Sequence, residues 1–160
     1  MPPLDRIKEI LGAKVLEAQV FRGDGTIVVA AAGVAEVLLT LKESDGLDFD
    51  FLVDLAGVDR KSPVEQRFEV VYHLYSTKHN HRLRVRVRLP ELNPVLPSIT
   101  PLWKGADWYE REAWEMFGIT FAGHPNLKRL LTFEGFEGYP LRKDYPIAKR
   151  QQIPESLKEI

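Results

Sequence analysis

Residues 82–89 read Arg-Leu-Arg-Val-Arg-Val-Arg-Leu, and Pro90 follows. Strict alternation of this kind fits a strand with one face buried and one face wet, because successive side chains of a strand point to opposite sides. Pro90 stops it by withdrawing a backbone donor. A helix would spread the same four arginines around its circumference, so the segment predicts a β-sheet with one apolar face. The arginine face has two readings. It could grip phosphates or an acidic partner. It could also be the solvated side of a sheet whose arginine stems cover apolar neighbours. Acids on the neighbouring segments (Asp48, Asp50, Glu69) favour the second.

The other segments supply partners for that strand. Val15–Phe21 and Thr26–Ala30 flank Gly23-Asp24-Gly25 and read as a hairpin; no Lys-Ser/Thr follows that would make the glycines a phosphate loop. Phe49–Leu55 and Arg67–Tyr75 read as further strands, with a turn at Gly57-Val58-Asp59. Leu4, Ile7, Ile10 and Leu11 recur at helical spacing, as do Val34, Val37, Leu38 and Leu41. Four prolines make residues 90–101 a stiff extended connector. The expectation is an α+β domain over residues 1–146. It has a mixed or antiparallel sheet of about five strands, two helices packed on it, a third helix near 107–117 and an extended C-terminal segment. Residues 147–160 form a short tail.

Composition narrows the function. The chain has 160 residues, 44% hydrophobic and 28% charged, with net charge −1. That balance gives no bulk attraction to nucleic acid or anionic lipid. No cysteine is present, which excludes disulfides and cysteine-ligated metal clusters within this chain. No run is long enough to span a bilayer, and the N-terminal residues show no signal-peptide pattern. Asp48, Asp50 and Asp54 have a spacing that would put them on one strand face, and His79 with His81 forms a His-x-His pair in a connecting loop. Neither set makes a full metal site.

Residues 108–146 concentrate aromatics, charges, glycine and proline. Asp107 with Glu110 forms a capping-box pattern before a helix over Trp108–Phe117, and Gly118 is its stop. The helical phase gathers Tyr109, Ala113, Trp114, Met116 and Phe117 on one arc. It puts Arg111, Glu112 and Glu115 mostly opposite, and leaves Glu110 among the apolar residues, where its capping role alone would satisfy it. Gly118–Gly123 reads as a short strand or extended loop, His124-Pro125 as a turn, and 134–140 as irregular. Such a segment is either an interaction surface or a wrap over the chain's own core.

The run Glu110-Arg-Glu-Ala-Trp-Glu115-Met-Phe-Gly118, then His124-Pro125, then Lys128-Arg-Leu-Leu131, resembles the signature of the 30-kDa subunit family of respiratory complex I. Gly138-Tyr-Pro-Leu-Arg142-Lys143-Asp144-Tyr-Pro146 resembles the family's second block, and weaker similarity reaches back over Phe49–Pro101. The family usually has Asp in place of Glu115, Asp in place of Asn126 and His in place of Tyr139. The resemblance implies a structural, non-catalytic peripheral-arm subunit of a proton-translocating NADH–quinone oxidoreductase. It would lie on the cytoplasmic side of the bacterial inner membrane and reach the membrane only through the complex. Electrons would pass from NADH through partner subunits. Those partners, 49-kDa-like and PSST-like subunits among them, would hold the FMN, iron–sulfur clusters and quinone, and this chain none of them. The expected interface or signature residues are Glu110, Arg111, Glu112, Glu115, His124, Lys128, Arg129, Arg142, Lys143 and Asp144, shared in an unknown ratio between partner contacts and internal links. Two alternatives are an equivalent subunit of a related membrane-bound hydrogenase and an independent nucleic-acid or acidic-ligand binder using Arg82–Arg88.

Overall fold

A computed structural model of the chain describes residues 3–61 and 65–155. Residues 156–160 of the predicted tail, and the first two residues of the N-terminus, lie outside it. Ten α-helices and β-strands follow in order among the described residues: α1 (Leu4–Leu11), β1 (Val15–Phe21), β2 (Asp24–Val29), α2 (Val34–Glu43), β3 (Phe51–Asp59), β4 (Phe68–Ser76), β5 (His81–Leu89), β6 (Val95–Pro97), α3 (Ala106–Phe117) and β7 (Thr120–Ala122). The α+β expectation holds.

Strand order in the main sheet is β1-β2-β5-β4-β3, antiparallel except for the parallel β2–β5 pair. The alternation in β5 does what its period requires. Leu83, Val85, Val87 and Leu89 are buried with Ile27, Val29, Val70, Tyr72 and Leu74, beneath Ile7 and Leu11 of α1 and Val34, Val37, Leu38 and Leu41 of α2. The arginines take the opposite face. Arg86 meets Glu69 through two bonds (2.6 and 2.7 Å), and Arg88 meets Glu17 likewise (2.6 and 2.8 Å). The partners therefore come from β4 and β1. Asp48 and Asp50, expected to pair with this row, instead hold the β4–β5 turn. Asp48 accepts from His79 (2.7 Å) and Lys78, and Asp50 from the Thr77 amide (2.8 Å). Asp48 has φ 44° and precedes β3, so the aspartates do not share one strand face.

Three other expectations change. Gly57-Val58-Asp59 is strand, paired with Val70, Glu69 and Phe68. Glycine is needed there for packing, because a Cβ on Gly57 would sit 2.5 Å from the Phe117 ring. His81 leaves the loop for β5, where it is buried and its Nε2 bonds the Leu47 carbonyl. The proline connector contains β6, which pairs in parallel with β7 to make a second, two-stranded sheet. This sheet brings the segments on either side of α3 together.

Candidate functional site

α3 begins at Ala106, with Gly105 as N-cap and no side-chain cap. Asp107 is already inside the helix, so the capping box does not form. Glu110 has a different task. Its side chain is fully buried, and it accepts the Ile99 amide and the Ser98 hydroxyl, both at 2.7 Å. These bonds clasp the end of β6 to α3. His124, its side chain also buried, lies 3.9 Å from Glu110 and 3.6 Å from Asp107. Burial raises the Glu110 pKa, opposed by the Ile99 and Ser98 bonds.

Arg111 and Glu115 correct the helical-phase reading: both are buried, and of the three outer charges only Glu112 is exposed. The reason is the segment after β7, which crosses that side of the helix. Glu115 accepts the amides of Leu130 (2.7 Å), Leu131 (2.9 Å) and Thr132 (2.7 Å), together with the Thr132 hydroxyl. Burial pushes its pKa up, but these donors outweigh it and the carboxyl is held below its usual value. One turn earlier, Arg111 donates to the carbonyls of Lys128 (3.0 Å) and Arg129 (2.9 Å). Arg129 in turn donates to the Phe136 carbonyl at 2.7 Å.

The second block is tied at two further points. Gly118 ends α3 with φ 74°, the left-handed conformation that suits glycine. Beside it Arg142 donates to the Phe117 carbonyl (2.6 Å), and its guanidinium lies 4.3 Å from the Tyr139 ring centroid and 4.7 Å from that of Phe68. Asp59, at the end of β3, receives Arg67 in a two-bond pair (3.0 and 2.7 Å) and also accepts the Lys143 amide at 2.8 Å. Arg67 completes its set with Glu91 and Asp144. The Arg67 hydrogen bonds hold the Asp59 carboxyl far below the usual carboxylate range. Asp59 and Arg67 are anchoring positions that the sequence reading missed. Their one signal is charge at the ends of two apolar strands.

Residues 126–146 contain no helix or strand, yet backbone polar groups must find partners. Here buried charged side chains supply many of them. Of the ten expected residues, Glu110, Arg111, Glu115, Arg129 and Arg142 are engaged inside the chain, and His124 and Asp144 lie against that network. Glu112, Lys128 and Lys143 are exposed. Apolar groups turned outward on α3 and the segment after it include Trp108 (59% exposed), Leu131 (62%), Tyr139, Leu141 and Ile147. Among the described residues no cluster of three or more His, Asp or Glu could hold a metal ion, and no helix is long and apolar enough to cross a membrane.

A family model described as the 30-kDa subunit of respiratory-chain NADH dehydrogenase matches residues 27–151. The C subunit of an NADH-quinone oxidoreductase from Methylobacterium sp. (strain 4-46) is 45% identical over 143 residues, covering 89% of this chain and 66% of that protein. A C 2 subunit of the same kind of enzyme, from Rhizobium meliloti (strain 1021), is 52% identical over 114 residues, covering 71% and 62%. The matched region thus falls just short of two thirds of the length of these two relatives. Among solved structures, a trypsin-resistant fragment (1–134) of Nqo5 superposes with TM-score 0.68 at 35% identity, covering 78% of this chain and 98% of the fragment. A chain of the membrane-bound sulfane sulfur reductase, an archaeal respiratory membrane complex, superposes with TM-score 0.77 at 26% identity, covering 91% and 84%.

Proposed function

The chain belongs to the 30-kDa subunit family of the respiratory-chain NADH dehydrogenases, and we propose that it is a non-catalytic scaffold subunit in the peripheral arm of an NADH–quinone oxidoreductase. The observation that carries this reading is the use made of the charges around α3. Arg111, Glu115, Arg129 and Arg142 bond within the chain and fix a segment without secondary structure, while Trp108, Leu131, Leu141 and Ile147 stay outward. Exposed aromatic and aliphatic groups on a rigidly held support are the composition of a protein interface. Glu110, which lies close to His124, is committed to the Ile99 amide and the Ser98 hydroxyl, and this supports a structural use of its carboxyl.

In this reading the neighbours are the 49-kDa-like and PSST-like subunits, and FMN, iron–sulfur clusters and quinone reside in partner chains. The chain touches the membrane only through the complex, on the cytoplasmic side. The relatives' names favour NADH as electron donor over a hydrogenase-type assembly, while the likeness to the sulfane sulfur reductase chain supports a scaffold role that tolerates a change of electron acceptor. The pairing of Arg86 and Arg88 with carboxylates weighs against a phosphate-binding arginine face.

The test is a double substitution of exposed apolar side chains, Leu141→Asp with Ile147→Asp, in the affinity-tagged full chain expressed in its native cell. The folded variant should lose co-purification with the other oxidoreductase subunits, and membranes should lose NADH-driven quinone reduction. Unchanged assembly would sink the proposal. Arg142 is unsuitable for such a test, because its bond to the Phe117 carbonyl makes any substitution a folding defect as well.

A further inference from the structure

The arginine row of β5 is not uniform. Arg86 and Arg88 are each matched by a carboxylate through two short bonds. Arg84 is not: it reaches Thr26 at 3.2 Å and only a distant Asp24 at 3.9 Å. Arg82 makes no ion pair among the described residues, and its guanidinium rests 5.7 Å from the Tyr75 ring centroid. His73 lies directly across from Arg84 on β4. Burial first, and the Arg84 charge second, lower its pKa, opposed by the nearby Asp54 and Asp24 carboxylates. Between these groups lies a cleft of about 260 Å³ lined by Asp24, Val53, His73, Arg82 and Arg84 among others.

Beside the cleft the same face carries Phe51, paired with Tyr75 across β3 and β4, and Val53. Phe51 is 53% exposed and Val53 41%. α1 and α2 cover the opposite face of the sheet. An exposed aromatic next to under-matched arginines has the composition of a binding hot spot, and a guanidinium fork is shaped for a carboxylate.

We propose that this end of the open sheet face is a second docking surface, which receives an acidic segment of a neighbouring subunit. A carboxylate of that segment enters between Arg82 and Arg84, and apolar groups beside it cover Phe51 and Val53. The proposal rests on the scaffold reading above and adds a surface on the far side of the sheet from α1 and α2. The choice of a protein segment follows from the mixed character of the patch. A free anion would satisfy the arginines and leave the apolar rim in water. A nucleic acid would need a continuous basic track, which Glu69 and Glu17 interrupt.

The experiment places a photo-reactive phenylalanine analogue at position 51 or 53 of the tagged full chain in its native cell. After irradiation the complex is purified and the linked peptides are sequenced. The expected peptide comes from another subunit of the same complex and contains Asp or Glu beside apolar residues. Arg82→Glu, at an exposed position, should cut the cross-link yield about thirtyfold, the effect of one interfacial hot-spot contact. Exchanging the linked peptide's acid for Arg should restore it. Cross-links to a second copy of this chain, to proteins outside the complex or to nothing would overturn the proposal, as would a yield indifferent to Arg82→Glu. Should the tagged chain bring down no oxidoreductase subunit at all, the scaffold reading fails with it; subunits recovered without the cross-link defeat the docking surface alone.

Discussion

The arginine row of β5 and the charged side of α3 use ion pairing for different ends. On β5, Arg86–Glu69 joins two strands already zipped together by backbone hydrogen bonds, and Arg88–Glu17 reaches across β2, to which both of its strands are paired. On α3, Arg111 and Glu115 bond backbone groups of residues 128–132, which belong to no helix or strand. The same residue types therefore carry unequal weight. A charge that decorates a ladder can be removed and the ladder remains; a charge that replaces a ladder cannot.

The sharpest way to break this contrast is Glu115→Ala. It leaves three amides and the Thr132 hydroxyl without their acceptor. The expected loss is about 3–4 kcal/mol, the scale for stranding buried partners of a charge. Urea denaturation measures it, and faster trypsin cleavage after Lys128 or Arg129 locates it. If stability falls by no more than for a surface substitution, the segment is held by something other than Glu115. Because the folded-state pKa of Glu115 is lowered, its contribution is complete above its unfolded value and is lost as pH falls below the usual carboxylate range.

Gly118→Ala tests the next anchor. A Cβ there would lie 2.6 Å from both the Arg142 guanidinium and the Tyr139 ring, at a φ of 74°. Strain and displacement together should cost about 1–3 kcal/mol. The loss should appear in hydrogen exchange as faster opening of residues 139–142 with the main sheet unaffected. Equal loosening of β4 and β5 would contradict the idea that the segment is fastened point by point.

What could be read in advance divides along the same line. In β5 a period of two assigns both faces, since each neighbouring strand repeats the rule; the hairpin of β1 and β2 and the apolar stripe of α2 are local patterns of equal clarity. In α3 the period of 3.6 correctly separates Arg111, Glu112 and Glu115 from the apolar arc. It says nothing of what crosses over that side, and residues 128–136 do so without any periodic signal. Gly57 illustrates a second limit. Glycine before Val58-Asp59 looks like a turn, yet the strand needs it because Phe117, sixty residues on, presses against the backbone. Asp59 and Arg67 show no more than charge at the ends of two strands for a similar reason: their partners Asp144 and Lys143 are remote in the chain.

Glu110→Gln sharpens the comparison within α3, where two buried glutamates have opposite pKa directions. The amide keeps an oxygen for the Ile99 amide, and Ser98 can rotate to accept from the new NH₂ group. The substitution should change stability by less than about 1 kcal/mol at neutral pH, the net scale of one hydrogen bond. The pH dependence has the reverse sign to that of Glu115. A folded-state pKa raised by burial means that the wild-type contribution is full in acid and lost as pH rises through the folded value. Denaturation midpoints compared across that range should therefore converge toward acid and move in favour of the E110Q variant on the alkaline side. A variant that lost stability at every pH would show that the carboxylate, charged or not, is the clasp itself.

The smallest effect belongs to Glu17→Ala. Its partner Arg88 gives it two short bonds, which by distance alone rival those that Glu115 receives. Glu17 is 54% exposed, however, so water replaces what the substitution removes. The β1–β2 ladder runs from Val15–Val29 to Phe21–Asp24 without it. Thermal midpoints of variant and wild type should coincide, at low and at high salt. A clear drop at low salt alone would mean that the β5 row is a coupled network and that Arg88 transmits strain to its neighbours. Coincident curves would leave the geometry of a bond and its weight as separate quantities, decided by whether the chain has another way to hold the same backbone in place.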